Sequence, residues 1–451
     1  MLCGAISSEH WSRLQGYAER MQIMAAEQST LDEIHPSVWL FLTARLGGSP
    51  LLPRVRELHV HRLRISGTPF LAFLLSPTIR LFDLSFGFES EEEDRVRAPH
   101  VQTSILQTLP DMVPDLEDFT YGSGFDLSVV RGCLQQFTQF KRLKSLITPP
   151  DVELDQHVLQ VFSSVSTLQI LSCCIDLSGI STLVLPSDPF LQLAEVDLRA
   201  HTDHLITFFR ACPFPNLVRI ELHITDPPTV SHPRDLFVAI CKHCDPTLIK
   251  HLDVDVLHRF IARPSSLMEY AEPLVALRNM RSFRLCFWST EPSICDDDIL
   301  RIGTAWPRLT SLNINHITQQ YSQPDVMAPS LSAIVELARR CPALTSLALA
   351  ELALELDPRG LPKLSAVPPL GHGLRYLDID CVRSPPSSHE MYLDMATVLD
   401  RVFPSIDLDN AMSQLGPHGK SWADILRLME AMQVGRANGA MFAQTGSQRQ
   451  G

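Results

Sequence analysis

The stretch Cys341-Pro342-Ala343-Leu344-Thr345-Ser346-Leu347-Ala348-Leu349 decides how this chain folds. Its kernel is an apolar residue, two variable residues, a second apolar residue, one variable residue and a third apolar residue. The kernel recurs as Leu309/Leu312/Ile314, Leu374/Leu377/Ile379 and Leu217/Ile220/Leu222. Eight further copies begin at Val55, Ile79, Leu116, Leu143, Leu168, Leu193, Ile249 and Met280, which makes twelve. The mean step is about 29 residues, the upper end of the leucine-rich-repeat period. A unit of this size cannot bury its apolar face alone; stacked units share one core and expose one long surface. An array of that kind points to binding before it points to chemistry.

Working outward from the kernels, phrases such as Val55–Val60 and Leu217–Ile224 alternate apolar and polar residues with the period of two that strands require. Segments of helical period lie between them, among them His204–Cys212, Pro233–Cys244, Asp296–Gly303 and Ser330–Cys341. Several copies share a joint: Ala211-Cys212-Pro213, Ala305-Trp306-Pro307 and Arg340-Cys341-Pro342. Proline has no amide hydrogen, so it stops the helix, and the next leucine begins the strand. Strand, loop, helix, turn, strand is the order of an α/β leucine-rich-repeat-like solenoid. Parallel strands are expected on its concave face, helices on its convex face and helical caps at its ends.

The boundaries read as follows. Residues 1–50 form an N-terminal helical cap, with Trp11, Leu14, Tyr17, Ala18 and Met21 at helical spacing and a second helix starting at His35-Pro36-Ser37. Residues 51–383 are the solenoid of about twelve units. Residues 384–435 are a C-terminal helical cap that covers the last apolar face, and 436–451, small and polar, are a disordered tail. The acidic run Glu89–Asp94 is expected to be a hydrated surface loop.

Composition narrows the function. The chain of 451 residues has 38 Lys and Arg against 51 Asp and Glu, a net charge of −13. That balance argues against general nucleic-acid or anionic-membrane binding. The eleven cysteines have no framework spacing, no glycosylation sequon occurs, and Met1–Trp11 is no secretory signal. An intracellular place, cytoplasmic or nuclear, with free thiols is expected.

Candidate chemistry is sparse. Cys241-Lys242-His243-Cys244 has the best metal-like spacing, but zinc takes four ligands and only His251 is near in sequence. Gly416–Ser421 resembles the end of a phosphate loop, yet position 414 is Gln414 and Pro417 removes an amide donor; it reads as a turn. No catalytic residue, cofactor or metal site is nominated, and the chain is not expected to be an enzyme.

One column of residues stands out. The variable position between the last two apolar residues of each kernel must face away from the core. It holds His59, Asp83, Thr120, Ile147, Ser172, Asp197, Glu221, Asp253, Arg284, Asn313, Ala348 and Asp378. Five of the twelve are acidic and Arg284 alone is firmly basic. The candidate partner-binding residues are therefore Asp83, Asp197, Glu221, Asp253, Arg284, Asn313 and Asp378, and a protein partner with a basic segment is the complement.

The stretch from Ser8 through Met21, then Ile34–Val38, the array opening at Pro50–Val60, the repeated Cys-Pro joints and Val398–Asp409 before a Trp-led helix carry a resemblance. The chain resembles fungal F-box proteins, those of mushroom-forming fungi above all, with divergent leucine-rich repeats. The resemblance covers residues from about 8 to 435 and implies the substrate-binding region of an F-box protein of a cullin-RING ubiquitin ligase. Two departures follow. No F-box is visible ahead of the array, so binding to the ligase adaptor is not implied for any residue. The asparagine or cysteine that commonly follows the strand phrase is missing, as at Leu63, Gly87, Thr225 and Leu352, so its hydrogen-bond ladder is expected to be absent. An interaction scaffold unrelated to ubiquitination shares the same signature, and a metal-dependent enzyme is the weaker alternative.

Overall fold

Every one of the twelve kernels becomes a strand that starts two residues after the kernel's first apolar residue. In this computed structural model the described residues are 7–87, 92–122, 133, 136–150, 152–186, 189–225, 233–257, 266–288, 292–316, 327–353, 370–383, 389–413 and 420–448. The Gly416–Gly419 turn and the 384–388 linker lie outside them.

The chain divides into two units, Met1–Leu217 and Val218–Gly451. The first holds β1 (Ile23–Glu27), β2 (Glu57–Leu63), β3 (Leu81–Phe86), β4 (Asp118–Tyr121), β5 (Ser145–Ile147), β6 (Glu153–Leu154), β7 (Ile170–Ile175) and β8 (Glu195–Ala200). These pair in chain order, all parallel, except that the two-residue β6 sits on the side of β7. The second unit holds β9 (Arg219–Ile224), β10 (His251–Val256), β11 (Ser282–Phe287), β12 (Ser311–His316), β13 (Ser346–Ala353) and β14 (Tyr376–Arg383), again parallel and in chain order. Order in space that follows order in the chain is the mark of a solenoid; a doubly wound sheet reverses it.

The register places kernel on kernel. Leu58, Phe82, Phe119, Leu146, Leu171 and Val196 are successive partners in the first unit. Ile220, Leu252, Phe283, Leu312, Leu347 and Leu377 are successive partners in the second. These inward residues are buried, while their neighbours along each strand stay half-exposed. Aromatic rings continue the stacking: Phe82, Phe119, Phe137 and Phe162 follow one another at centroid distances of 5.8, 5.8 and 5.7 Å.

The joints behave as their sequence dictates. The helices Thr202–Ala211, Asp296–Ala305 and Leu331–Arg340 each stop two residues before the proline. The Trp306 and Cys341 amides close the last turn on Ile302 and Leu337, and the Leu309 and Leu344 amides then turn back onto Trp306 and Cys341. The Cys341 thiol donates to the Trp306 carbonyl of the preceding repeat at 3.4 Å, and burial pushes its pKa up to about 11. The joint cysteine is thus a packing group rather than a reactive one.

The missing asparagine ladder has a substitute. At the foot of the strands one carbonyl per repeat accepts two amides from the next repeat. Arg80 serves Glu117 and Asp118, Glu117 serves Lys144 and Ser145, Lys250 serves Arg281 and Ser282, and Thr310 serves Thr345 and Ser346. Side chains just before the kernel reinforce it: Asn216 donates to the Leu191 carbonyl and Asn279 to the Thr247 carbonyl, both at 2.7 Å. These bonds run through main chain at a different position from the asparagine ladder and do not restore it.

Three boundaries also change. Residues 1–50 are more than a helical cap, because Ile23–Glu27 forms β1 and pairs with β2. Its sequence carries a single strongly apolar alternation and so escapes the kernel. Of the acidic run expected as a loop, Glu89–Glu91 lie outside the described residues, and from Glu92 it is helical, the start of the helix Glu92–Met112; acidic residues favour a helix N-terminus. The ordered chain does not end near 435, since the last helix runs from Lys420 to Gln448 through helix-forming Ala437, Ala440, Met441 and Ala443.

At the C-terminal end, Met395, Leu399, Val402, Trp422, Ile425, Leu426 and Met429 are buried in the capping helices. The Asp407 amide donates to the Arg375 carbonyl at 2.8 Å, which adds one more rung where a next strand would start. The helix Leu408–Ser413 stands there instead. Among the described residues no helix is long and apolar enough to cross a membrane.

Candidate interaction surface

The variable column of the kernels forms two ladders, one in each unit. In the first, His59, Asp83, Thr120, Ile147, Ser172 and Asp197 are register partners in turn. In the second, Glu221, Asp253, Arg284, Asn313, Ala348 and Asp378 are. Adjacent rungs are about 4.8 Å apart, the spacing of hydrogen-bonded strands. The sequence-nominated residues Asp83 and Asp197 therefore belong to one ladder, and Glu221, Asp253, Arg284, Asn313 and Asp378 to the other.

A second row lies two residues further along the strands: His61, Ser85, Cys174 and Arg199 in the first unit, and His223, Asp255, Cys286, Asn315, Ala350 and Asp380 in the second. The kernel ends before this row, although the same period of two continues through it.

The acids are not a bare stripe. Arg284 Nη1 lies 2.6 Å from Asp253 and Nη2 lies 2.9 Å from Asp255. His223 is 3.2 Å from Asp255 and 3.6 Å from Glu221. Burial pushes the Asp255 carboxyl up, but hydrogen bonds from His223 and Arg284, with the Arg284 charge, outweigh it and hold the pKa below the usual aspartate value. In the first unit Asp197 accepts from the Ser172 hydroxyl at 2.7 Å, and Asp83 lies 3.6 Å from His59 and 3.9 Å from His61.

The balance differs at the far end of the second unit. On β13 Ser346 and Ala348 are half-buried and Ala350 is buried, so the small Ala348 leaves a shallow trough between β12 and β14, about 10 Å across. Asn313 and Asn315 stand on one bank; Tyr376, Asp378 and Asp380 stand on the other. Burial, with the neighbouring Asp380 charge, pushes the Asp378 pKa up to about 6. Among the described residues its carboxylate has no hydrogen bond or ion pair. Burial also raises Asp380, partly offset by a hydrogen bond from Asn315. Asn313 Oδ1 is sheltered from solvent and accepts nothing among the described residues. Tyr376 is 44% exposed beside them.

The cysteine pair resolves differently from a metal site. Cys241 donates to the Pro273 carbonyl at 3.3 Å, burial pushes its pKa up to about 11, and Cys244 is buried. Among the described residues neither joins a cluster of three metal-capable side chains.

No family model and no curated protein matches this sequence. Among solved structures it is similar to a protein of Bacteroides fragilis, 11% identical, covering 69% of this chain and 76% of that one at a TM-score of 0.35. It is also similar to a chain of the yeast Rad7 and Elc1 complex, 13% identical, covering 71% of this chain and 92% of that one at a TM-score of 0.33. At these scores the fold stands on the strand pairing above, and the function on the surface itself.

Proposed function

We propose that this chain is a non-catalytic protein-recognition module whose second unit binds a basic polypeptide segment along the β12–β14 trough. The observation that carries the reading is Asp378: a carboxylate with no cationic partner among the described residues, lifted by burial and by Asp380, beside the small Ala348. A lysine or arginine would lay its methylene stem over Ala348 and bring its charge to Asp378. Tyr376 offers a ring face for the cation and Asn313 an acceptor for its donors. The other acids of the ladder are held by Arg284 and His223, which leaves them to set orientation and exclude wrong charges.

The resemblance to F-box proteins supports the finer reading that this surface corresponds to the substrate-binding region of a ubiquitin-ligase receptor. Affinity capture from cells with the wild-type chain and an Asp378→Lys/Asp380→Lys variant tests both levels. A salt-sensitive partner retained by the wild type and lost by the variant supports the recognition surface. Equal retention by both overturns it. Ligase subunits among the captured proteins favour the receptor reading; their absence favours a scaffold unrelated to ubiquitination.

A further inference from the structure

We propose that His59, His61 and Asp83, on the outward face of β2 and β3, bind one divalent transition-metal ion of the zinc class. His59 and His61 flank Val60, which is fully buried, so both imidazoles emerge on the same face. Asp83 is the register partner of His59. Its Oδ2 lies 3.6 Å from His59 Nδ1 and 3.9 Å from His61 Nε2, and all three donor atoms fall within 4.8 Å of one another.

Metal geometry fits that spacing. Zinc holds imidazole nitrogen and carboxylate oxygen at about 2.0–2.2 Å, which puts tetrahedral ligand atoms about 3.3–3.5 Å apart. The three donors need only small side-chain rotations to converge. Two imidazoles and one carboxylate favour zinc-like ions over magnesium or calcium, which take oxygen ligands. The side chains are 30%, 42% and 25% exposed, so an ion can reach them.

Two further observations point to the same place. The register shifts between Val60 and Leu63, and Arg62 there has φ of 55°, a left-handed conformation unusual for a residue with a side chain. Its amide donates to the Ser85 hydroxyl at 3.1 Å. Bulges of this kind re-aim a side chain, and this one takes in His61 and Arg62. On the other side, β1 sets Ala25 opposite His59 and Glu27 opposite His61. Ala25 is small, and Glu27 is exposed on the neighbouring strand, outside the three-donor group itself.

The site is independent of the trough in the second unit. The test uses the full chain, stripped with a chelator, titrated with Zn²⁺ by calorimetry at neutral pH and with Co²⁺ by visible absorption. One equivalent of Zn²⁺ is expected, at least tenfold weaker in His59→Ala and in Asp83→Asn, and unchanged in Cys241→Ser/Cys244→Ser. Cobalt should give ligand-field bands without thiolate charge transfer. Circular dichroism confirms folding, and His61→Gln serves as a second variant should one of the others fail to fold. No saturable Zn²⁺ binding, wild-type affinity in the histidine variants, or thiolate bands with cobalt would each overturn the assignment.

Discussion

Arg284 lies 2.9 Å from Asp255, which is 7% exposed and sits in the row that the repeat kernel does not reach. The same guanidinium holds Asp253 at 2.6 Å. One cation thus neutralises two carboxylates on the neighbouring strand, and the surface that reads as acidic in sequence is internally compensated around β10 and β11. Uncompensated charge is left at Asp378.

Replacing Arg284 by methionine should destabilise the fold by about 1–3 kcal/mol, because a buried and a half-buried carboxylate lose their charged donor. Urea unfolding monitored by circular dichroism reads the change. Adding Asp253→Asn and Asp255→Asn to Arg284→Met should recover part of the loss; purely additive losses would show that the three side chains are not coupled.

Asp378 makes a pH prediction. Its folded pKa, about 6, lies above the unfolded value of 3.8. A raised carboxylate costs stability once it ionises, so the penalty is full above about pH 6 and vanishes as pH falls toward the unfolded pKa. Asp378→Asn should therefore raise Tm at pH 7.5 by a few degrees, about 1 kcal/mol, and by less at pH 5. An equal effect at both pH values would contradict the shift.

Binding of a basic segment should show the mirror image. A cation beside Asp378 favours the ionised form, so affinity should rise between about pH 5 and pH 7 and fall with added salt. Asp378→Lys should weaken binding at least tenfold. Asp197→Lys with Asp253→Lys, one change in each unit's own ladder, tests the remaining acids and should also weaken binding. Loss in that pair alone, with Asp378→Lys silent, would move the contact away from the trough.

Two tryptophans separate core from surface. Trp306 is fully buried, 4.9 Å by ring centroid from Phe283 at a helix–strand joint, whereas Trp288 is 43% exposed. Trp306→Ala should cost about 3–5 kcal/mol and Trp288→Ala within about 0.5 kcal/mol. Chemical denaturation of both variants checks the contrast.

Thiol chemistry offers a simple readout of the joints. Burial raises Cys212 to about 12 and Cys286 and Cys341 to about 11. These thiols should stay unreactive toward a disulfide reagent at pH 7.5 in the native chain and react within seconds in urea. Fast native labelling at Cys341 would contradict its place at the joint.

The sequence by itself determined the repeat, the strand starts and the register. The kernel carries both the core positions and their alternation, and register follows wherever one face must be buried. Gly47 shows the same economy on a local scale: it closes the helix Pro36–Leu46 at φ of 57°, where the glycine of Leu46-Gly47-Gly48 is the natural stop. β1 was not legible, because the segment Ile23–Glu27 is too weakly apolar to resemble a kernel and is defined by its pairing with β2. The tertiary structure alone decided which of the polar residues meet. That Arg284 reaches both Asp253 and Asp255, that Asp378 meets no cation among the described residues, and that two imidazoles at the bulge stand beside Asp83 are outcomes of strand pairing between residues 22 or more positions apart. Local pattern fixes the face on which a side chain stands; only the packed neighbour fixes its charge, its partner and its chemistry.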